Sequence, residues 1–248
     1  MSMNRQTTRL WKVLAKTHLR GRLLAKHAHS THQLLFATRG VMQVQTNDGQ
    51  WTVPPKRALW IPAGVEHSVI TLSDTEMRTV YFSCNECVFG NEHVHAVLPS
   101  ALVQELILAL FEHQHSDATQ EMMAHLLHQL VAKCEEPRCH LPLPRHPQLV
   151  KATAWLMSHR QWGLSLAHAA AKVGMSERSF TRHFSAEVGC SFRQWRQRAR
   201  IVSTLDRLVT GDSVKQLADM AGFASTSAYI AAFKKIAGCT PAQFAAQV

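Results

Sequence analysis

The chain has 248 residues, of which 46% are hydrophobic and 18% are charged, so it can bury at least one sizeable core. No apolar run approaches the roughly 18 residues that a membrane helix needs, and six cysteines do not make the dense pattern of a secreted disulfide protein. The composition therefore excludes a disordered chain and a membrane protein. Because the basic N-terminus lacks the apolar core of a signal peptide, we expect a cytoplasmic protein with reduced thiols.

The net charge of +10 is divided unevenly along the chain. Residues 1–144 contain 13 Lys and Arg against 12 Asp and Glu, whereas residues 145–248 contain 14 against 5. Such an excess in one part of the chain is typical of a domain that meets nucleic-acid phosphates. A basic domain with no role in nucleic-acid binding is the alternative.

The first part of the chain is basic and then becomes strand-like. Seven cations and no acid lie between Arg5 and Lys26, which indicates either an arm that touches DNA or a solvated tail followed by a first strand. Between residues 33 and 83, short apolar runs alternate with turn residues, as in antiparallel β structure. The predicted strands are Gln33–Thr38, Val41–Thr46, Ala58–Ile61 and Thr79–Ser83.

Cys84 and Cys87 follow this region with the spacing of a zinc or redox pair. A single pair of this kind is weak evidence, because the sequence offers no second pair at a suitable distance. We therefore favour ordinary thiols over a metal or redox site here.

Two helices and a proline-rich segment come next. Leu, Ile and Met recur at helical spacing over Ala101–His113 and Thr119–Lys133, so these helices should pack against each other or against a partner subunit. Four prolines then interrupt regular structure, which predicts a linker over residues 137–147. The predicted domains are residues 1–136, a β-rich sensing and dimerisation domain, and residues 148–248, an all-α domain. The fold class is multidomain α+β.

An internal repeat is the most specific feature of the sequence. In each copy a serine caps a short Ala-rich helix, a glycine makes a turn, and a second serine caps another helix that carries two aromatic residues. These residues are Ser165, Gly174, Ser176, Phe180 and Phe184 in the first copy and Ser213, Gly222, Ser225, Tyr229 and Phe233 in the second. Each copy predicts a helix-turn-helix unit, whose second helix would enter a DNA major groove.

A long basic helix, Phe192–Val209, is predicted to join the two units. Its arginines are Arg193, Arg196, Arg198, Arg200 and Arg207. A rigid connector of this kind would hold two reading helices about one DNA turn (~34 Å) apart on one face of the duplex. A helical bundle without a DNA role is the alternative, and the duplication and the charge argue against it.

Residues 148–248 resemble the DNA-binding domain of the AraC/XylS family of transcription regulators. The resemblance is carried by Ala221-Gly-Phe-Ala-Ser225 and by Gly238-Cys-Thr-Pro241-Ala-Gln-Phe244. It implies that two helices present side chains to bases: Glu177, Arg178, Thr181 and Arg182 from the first, and Thr226, Ser227, Ile230 and Ala231 from the second. It also implies phosphate contacts from Arg193, Arg196, Lys234 and Lys235.

The two predicted reading helices differ on their exposed faces. Arg182 matches a position where the family commonly has a base-contacting arginine, and arginine suits the two acceptors of guanine; a phosphate contact is the alternative. Ala231 stands where many members have arginine. We therefore expect the first unit to read the base sequence and the second chiefly to hold the domain in register on the DNA.

The N-terminal motifs resemble those of the cupin barrel, which AraC-type regulators often carry as an effector-sensing domain. His27-Ala-His29 is followed by Gln33 and, after Pro62-Ala-Gly, by His67. The resemblance implies an effector pocket at His27, His29, Gln33 and His67, with Trp60 as a lining residue or, alternatively, as core.

In cupins the corresponding residues ligate a metal, and three imidazoles could hold Zn, Fe, Ni or Mn at His27, His29 and His67. Gln33 replaces the acidic ligand, and a neutral amide is a weaker donor. We therefore favour histidines that line a pocket over a bound divalent metal, and we expect no other cofactor.

The sequence is thus identified as that of a ligand-responsive, sequence-specific transcription regulator and not an enzyme. The expected partners are double-stranded DNA, a small-molecule effector, a second copy of the chain, and RNA polymerase if the protein is an activator; no membrane is expected. Two alternatives stay open. One is a cupin-type metal oxygenase or isomerase with a DNA tether, and the other is an architectural protein that binds DNA without sequence preference.

Overall fold

The structure is a computed structural model that describes residues 10–84, 93–112, 114–134 and 140–246. Ten strands of these residues build the N-terminal domain, and those predicted from apolar runs are present. The strands are β1 (Trp11–His18), β2 (Leu23–His27), β3 (His32–Arg39), β4 (Met42–Thr46), β5 (Gly49–Val53), β6 (Ala58–Ile61), β7 (His67–Thr71), β8 (Thr75–Phe82), β9 (His95–Val97) and β10 (His140–Pro142).

The strands form two five-stranded sheets that enclose a core, as the cupin resemblance implied. The first sheet has the order β1-β8-β3-β6-β9 and the second the order β10-β5-β4-β7-β2. Neighbouring strands are antiparallel throughout both sheets. Alternate residues such as Leu35, Leu59 and Val69 point between the sheets and are almost fully buried.

Two helices cover the outer face of the first sheet. They are α1 (Ala101–Ala109) and α2 (Asp117–Val131), capped by the side chains of Ser100 and Ser116. Ile107 and Leu127 are buried against the sheet in a second apolar core. Both helices end before the predicted residues 113 and 133, but the predicted helical pair is confirmed.

The predicted linker is not a free tether. Its residues His140–Pro142 form strand β10, which pairs with β5 at the edge of the second sheet. The carbonyl of Pro142 accepts a hydrogen bond of 2.7 Å from the indole Nε1 of Trp195 in the C-terminal domain. Leu141 and Val41 belong to the same apolar core as that domain. The two domains therefore share a packed interface.

The C-terminal domain is helical, as predicted. Its helices are α3 (Pro147–His159), α4 (Leu166–Lys172), α5 (Glu177–Val188), α6 (Phe192–Val202), α7 (Leu205–Val209), α8 (Val214–Met220), α9 (Thr226–Ala237) and α10 (Pro241–Ala245). Within the described ranges, no helix has the length and hydropathy needed to cross a membrane.

The predicted helix-turn-helix units are both present. The side chains of all four predicted serine caps accept a backbone N–H bond at the start of their helices. Gly174 and Gly222 have φ values of 68° and 67°, which a residue with a Cβ adopts only with strain.

The predicted connector needs one correction. It is not a single helix over Phe192–Val209 but two helices that meet at a turn over Ser203 and Thr204. The Thr204 hydroxyl bonds the Ile201 carbonyl at 2.7 Å and the buried Tyr229 hydroxyl at 2.9 Å. These side-chain bonds to the backbone compete with helix continuation, which explains the break.

Candidate nucleic-acid interface and sensing cavity

Helix α5 is the second helix of the first helix-turn-helix unit. Phe180 and Phe184 are fully buried and stack at a centroid distance of 5.6 Å, which fixes the helix on the domain core. The opposite face is open to solvent. The predicted base-reading residues Glu177, Arg178, Thr181 and Arg182 are all exposed. The helix therefore offers two arginines, one carboxylate and one hydroxyl on the outside of the molecule.

Helix α9 is fixed in the same way but offers less on its outer face. Tyr229 and Phe233 are fully buried. Ser227 and Ala231 are exposed, whereas Thr226 is half-buried and Ile230 packs against the core. The exposed cations Lys234 and Lys235 lie in its last turns.

The arginines of α6 serve mostly inside the protein. Arg196 donates to the Leu164 carbonyl, Arg198 to the His140 carbonyl, and Arg200 to the carbonyls of Ala221 and Gly222. The half-buried guanidinium of Arg196 thus holds the loop before α4, and its contact with a DNA phosphate stays a prediction. Arg193 is exposed.

Arg145 and Glu187 tie α5 to the N-terminal domain. The Glu187 carboxylate in the last turn of α5 accepts the backbone N–H groups of Arg145 at 2.7 Å and His146 at 2.9 Å. The Arg145 guanidinium pairs with Asp48 in the β4–β5 turn. Although burial acts to raise the pKa of Glu187, the two N–H bonds lower it overall, so the carboxylate is ionised at neutral pH.

A cavity of about 400 Å³ opens between the edge strands β1 and β2. Its walls are apolar side chains of β1, β2, β3, β7 and β8, namely Leu14, Leu24, Leu35, Val69 and Met77. The polar residues that reach it include the predicted His27, His29 and Gln33, together with Tyr81. This volume and this mixed lining are typical of a small-molecule site.

His27, His29 and His67 come together beside the cavity, as the motif comparison implied. Their ring centroids are 4.4–5.5 Å apart, and one ring nitrogen of each lies within 4.8 Å of the others. The Nδ1 atoms of His27 and His67 bond the carbonyls of Ala25 and Val65 at 2.6 and 2.9 Å, which leaves each Nε2 for a ligand.

Burial disfavours the protonated form of two of the three imidazoles, His29 and His67. It is the largest cause that lowers the pKa of His29 and of His67, and the neighbouring imidazoles add to it. The Nε2 atoms of both residues and the Oε1 atom of Gln33 are buried without a hydrogen-bond partner. Buried polar atoms of this kind are costly unless a ligand, a metal or water satisfies them. The residues present therefore fit a divalent metal or a polar ligand group.

Trp60 is the second correction, because it does not line the cavity. It lies on β6 between Leu59 and Ile61, and strand alternation turns its ring to the outer face of the sheet. There it is fully buried under α1 and α2, with Phe82 and His128 at centroid distances of 5.8 and 5.9 Å. The core alternative was the right interpretation of Trp60.

No motif in the sequence marks the side chains that β1 and β8 bring to the cavity, including Lys16 and Tyr81. The short apolar run Val13–Ala15 within Trp11–His18 could have indicated β1, but the basic character of this segment obscured it. The described part of the basic segment Arg5–Lys26, residues 10–26, belongs largely to strands β1 and β2. Nothing in these residues identifies an arm that touches DNA.

The Cys84 and Cys87 pair lies partly outside the described residues. Cys84 is a free, exposed cysteine whose thiol donates to the Ser30 carbonyl at 3.2 Å. Cys87 falls in the range that the structure does not describe.

A duplicated helix-turn-helix domain beside a barrel with an internal cavity defines a ligand-binding transcription regulator. Two family models match the chain accordingly: the AraC-like ligand binding domain over residues 14–139 and a helix-turn-helix domain over residues 169–247. The HTH-type transcriptional regulator NimR of Escherichia coli K12 is 32% identical over 227 residues, which cover 90% of this chain and 82% of NimR. The chain belongs to the AraC family of transcription regulators.

Two further similarities are more limited. The HTH-type transcriptional regulator RipA of Corynebacterium glutamicum is 33% identical over 108 residues, which cover 44% of this chain and 32% of RipA. The crystal structure of ToxT from Vibrio cholerae O395 aligns over 96% of this chain and 98% of its own, with 13% identity and a TM-score of 0.42.

Proposed function

We propose that this regulator reads DNA sequence with α5, positions itself with α9, and changes its DNA binding when a small molecule occupies the cavity between β1 and β2. The observation that carries the proposal is the contrast between the two helices. The outer face of α5 exposes Arg178 and Arg182, whereas that of α9 exposes Ser227 and Ala231. Arginine recognises guanine with two hydrogen bonds, and small side chains cannot do so.

The proposal is tested by selecting bound sequences from a random duplex library with the full chain. We expect an enriched motif whose most constrained base pairs include a guanine, and at least a thousandfold preference over competitor DNA. A specificity ratio near unity would instead support the architectural alternative.

Lys234 should act on phosphates and not on bases. We expect Lys234→Ala to weaken binding to all duplexes alike and to reduce the slope of log K against log salt by about 1. Titrations of the selected duplex and of a scrambled duplex at several salt concentrations measure both effects. A loss confined to the selected duplex would show that Lys234 takes part in base recognition.

The remaining assignments concern partners and place of action. We propose a cytoplasmic homodimer that forms through α1 and α2, because Leu102, Met122 and Leu126 on these helices are exposed. An activator would also contact RNA polymerase. NimR and RipA, the relatives of this chain, are transcriptional regulators, and we propose no catalytic activity for this chain.

A divalent transition metal at His27, His29 and His67 is a second proposal for the sensing domain. The unpartnered Nε2 atoms and the short separation of the ring nitrogens favour it. When bound, the metal would act as a Lewis acid toward a ligand group in the cavity. Gln33 would orient that ligand group through its amide.

We expect untagged protein, dialysed against Zn²⁺ and then against buffer, to retain about one metal ion per chain by elemental analysis. His67→Ala should remove the bound metal, since two imidazoles hold a metal poorly, whereas Gln33→Glu should tighten binding by restoring a carboxylate ligand. His159→Ala, on the exposed end of α3, is the matched control. Retained metal in His67→Ala would place the ion elsewhere.

A further inference from the structure

The cavity between β1 and β2 has two different polar ends. Lys16 and Arg22 line it at one end, and His27, His29, Gln33 and Tyr81 line it at the other. The pairing of β1 with β8 fixes this arrangement. Lys16 of β1 lies opposite Met77 of β8, whereas Tyr81, four residues further along β8, lies opposite Lys12. Four residues of a strand span about 13 Å. The cavity is therefore elongated along β8.

The second sheet places its cation and its imidazoles at the same two ends of the cavity as the first sheet does. The backbone N–H of Arg22 donates to the Thr71 hydroxyl at 3.0 Å, at the end of β7, whereas His27 pairs with His67 at the beginning of β7. Both sheets thus bring a cation of the cavity lining to one end and imidazoles to the other. Lys12, which is outside the lining, lies over the Tyr81 ring at 4.9 Å at the imidazole end. Leu14 and Leu35, which both lie opposite Thr79 of β8, line the space between the ends.

The cationic end of the cavity has no acidic neighbour in the lining. Among the residues that the structure describes, no Asp or Glu lines the cavity. Within the described residues, neither Lys16 nor Arg22 forms an ion pair, whereas Lys26 at the other end is paired with Glu66 at 2.7 Å. Burial, together with the charges of Lys16 and Arg22, lowers the pKa of the nearby His18, so its imidazole is neutral at neutral pH.

We propose that the effector is an elongated amphipathic carboxylate. Its carboxylate binds between Lys16 and Arg22, its apolar body lies against Leu14, Leu35 and Met77, and a hydrogen-bonding group at its far end meets the imidazoles, Gln33 and Tyr81. This assignment rests on the proposed function, in which the cavity binds the effector.

The lining disfavours the other common effector classes. A polyhydroxylated sugar would leave hydroxyl groups unpaired along the apolar middle of the cavity, which costs free energy for each buried group. A cation would be repelled by Lys16 and Arg22. A fully apolar ligand would leave Gln33 Oε1 and the Nε2 atoms of His29 and His67 without partners.

The test uses 8-hydroxyoctanoate, which has a carboxylate and a hydroxyl at the two ends of an apolar chain, and its uncharged analogue 8-hydroxyoctanamide. Both are titrated calorimetrically into the full chain with EDTA present, so that no metal contributes. We expect the acid to bind at least tenfold more tightly than the amide. We expect Lys16→Met combined with Arg22→Met to abolish this preference. Lys26→Met, which removes one cation outside the cavity lining, should retain it.

Equal binding of acid and amide, an unchanged preference in the double variant, or no binding of the acid would each overturn the assignment. A circular dichroism melt of each variant checks that it is folded. Titration of the same samples with the selected duplex keeps the two proposals separate. Loss of sequence-specific duplex binding with an intact acid preference would contradict the proposed function and not the effector class.

Discussion

Trp195→Ala should lower the free energy of unfolding of the C-terminal domain by about 3–5 kcal/mol, because it removes a large, fully buried aromatic side chain. The ring contacts Phe184 edge-on at a centroid distance of 5.7 Å and stacks with Phe192 at 6.2 Å. Its Nε1 donates to the Pro142 carbonyl, so the substitution also loosens the domain interface. Urea unfolding followed by far-ultraviolet circular dichroism measures the change.

Two further variants separate the contributions of Trp195. Trp195→Phe keeps most of the packing but leaves the Pro142 carbonyl without its donor, and we expect a loss of about 1–3 kcal/mol. Trp155 on α3 is only half-buried, so Trp155→Ala is a control that should cost clearly less. A loss below about 1 kcal/mol for Trp195→Ala would contradict the packing described here.

Arg182→Ala should weaken binding to the selected duplex by about 1–3 kcal/mol and relax the preference at one base pair. The side chain is exposed on α5, and its Nη2 lies 3.3 Å from the ring Nε2 of His183. A guanidinium in this position can donate two hydrogen bonds to guanine O6 and N7. Binding titrations over a set of duplexes that vary one base pair at a time measure both effects.

The alternative role of Arg182 gives a different result. A phosphate contact would make Arg182→Ala weaken every duplex in the set equally, as we expect for Lys234→Ala, and would leave the base preferences intact. Arg182→Lys sharpens the comparison, because lysine keeps the charge but loses the paired donors. Retention of the full base preference by Arg182→Lys would contradict direct readout by this residue.

The N-terminal domain shows where prediction from sequence stopped. The motifs around His27, His29 and His67 indicated the right cluster, since a local H-x-H pattern and a histidine after a turn can be recognised in a linear sequence. Lys16 and Arg22 carried no such pattern. Their place at the cavity depends on which strand pairs with β8 and in which register, and that choice is made by residues distant in the chain.

The corrections have the same origin. Trp60 was predicted as a lining residue or, alternatively, as core, and the pairing of β6 with β3 decides which face of the sheet carries its ring. The internal bond of Arg196 was equally out of reach, because its guanidinium donates to a carbonyl group 32 positions away in the chain. The predicted linker contains a strand because the exposed edge of β5 offers backbone partners.

The sequence by itself determined the two helix-turn-helix units, down to their caps, glycines and buried aromatic residues. Caps, turns and helical faces depend on residues within one or two turns of each other, so a linear pattern contains them. Only the tertiary structure decided which arginines face solvent, on which face of the first sheet the Trp60 ring packs, and that the cavity has a cationic end. Each of these depends on contacts between distant segments, where packing and hydrogen-bond satisfaction select one arrangement from many.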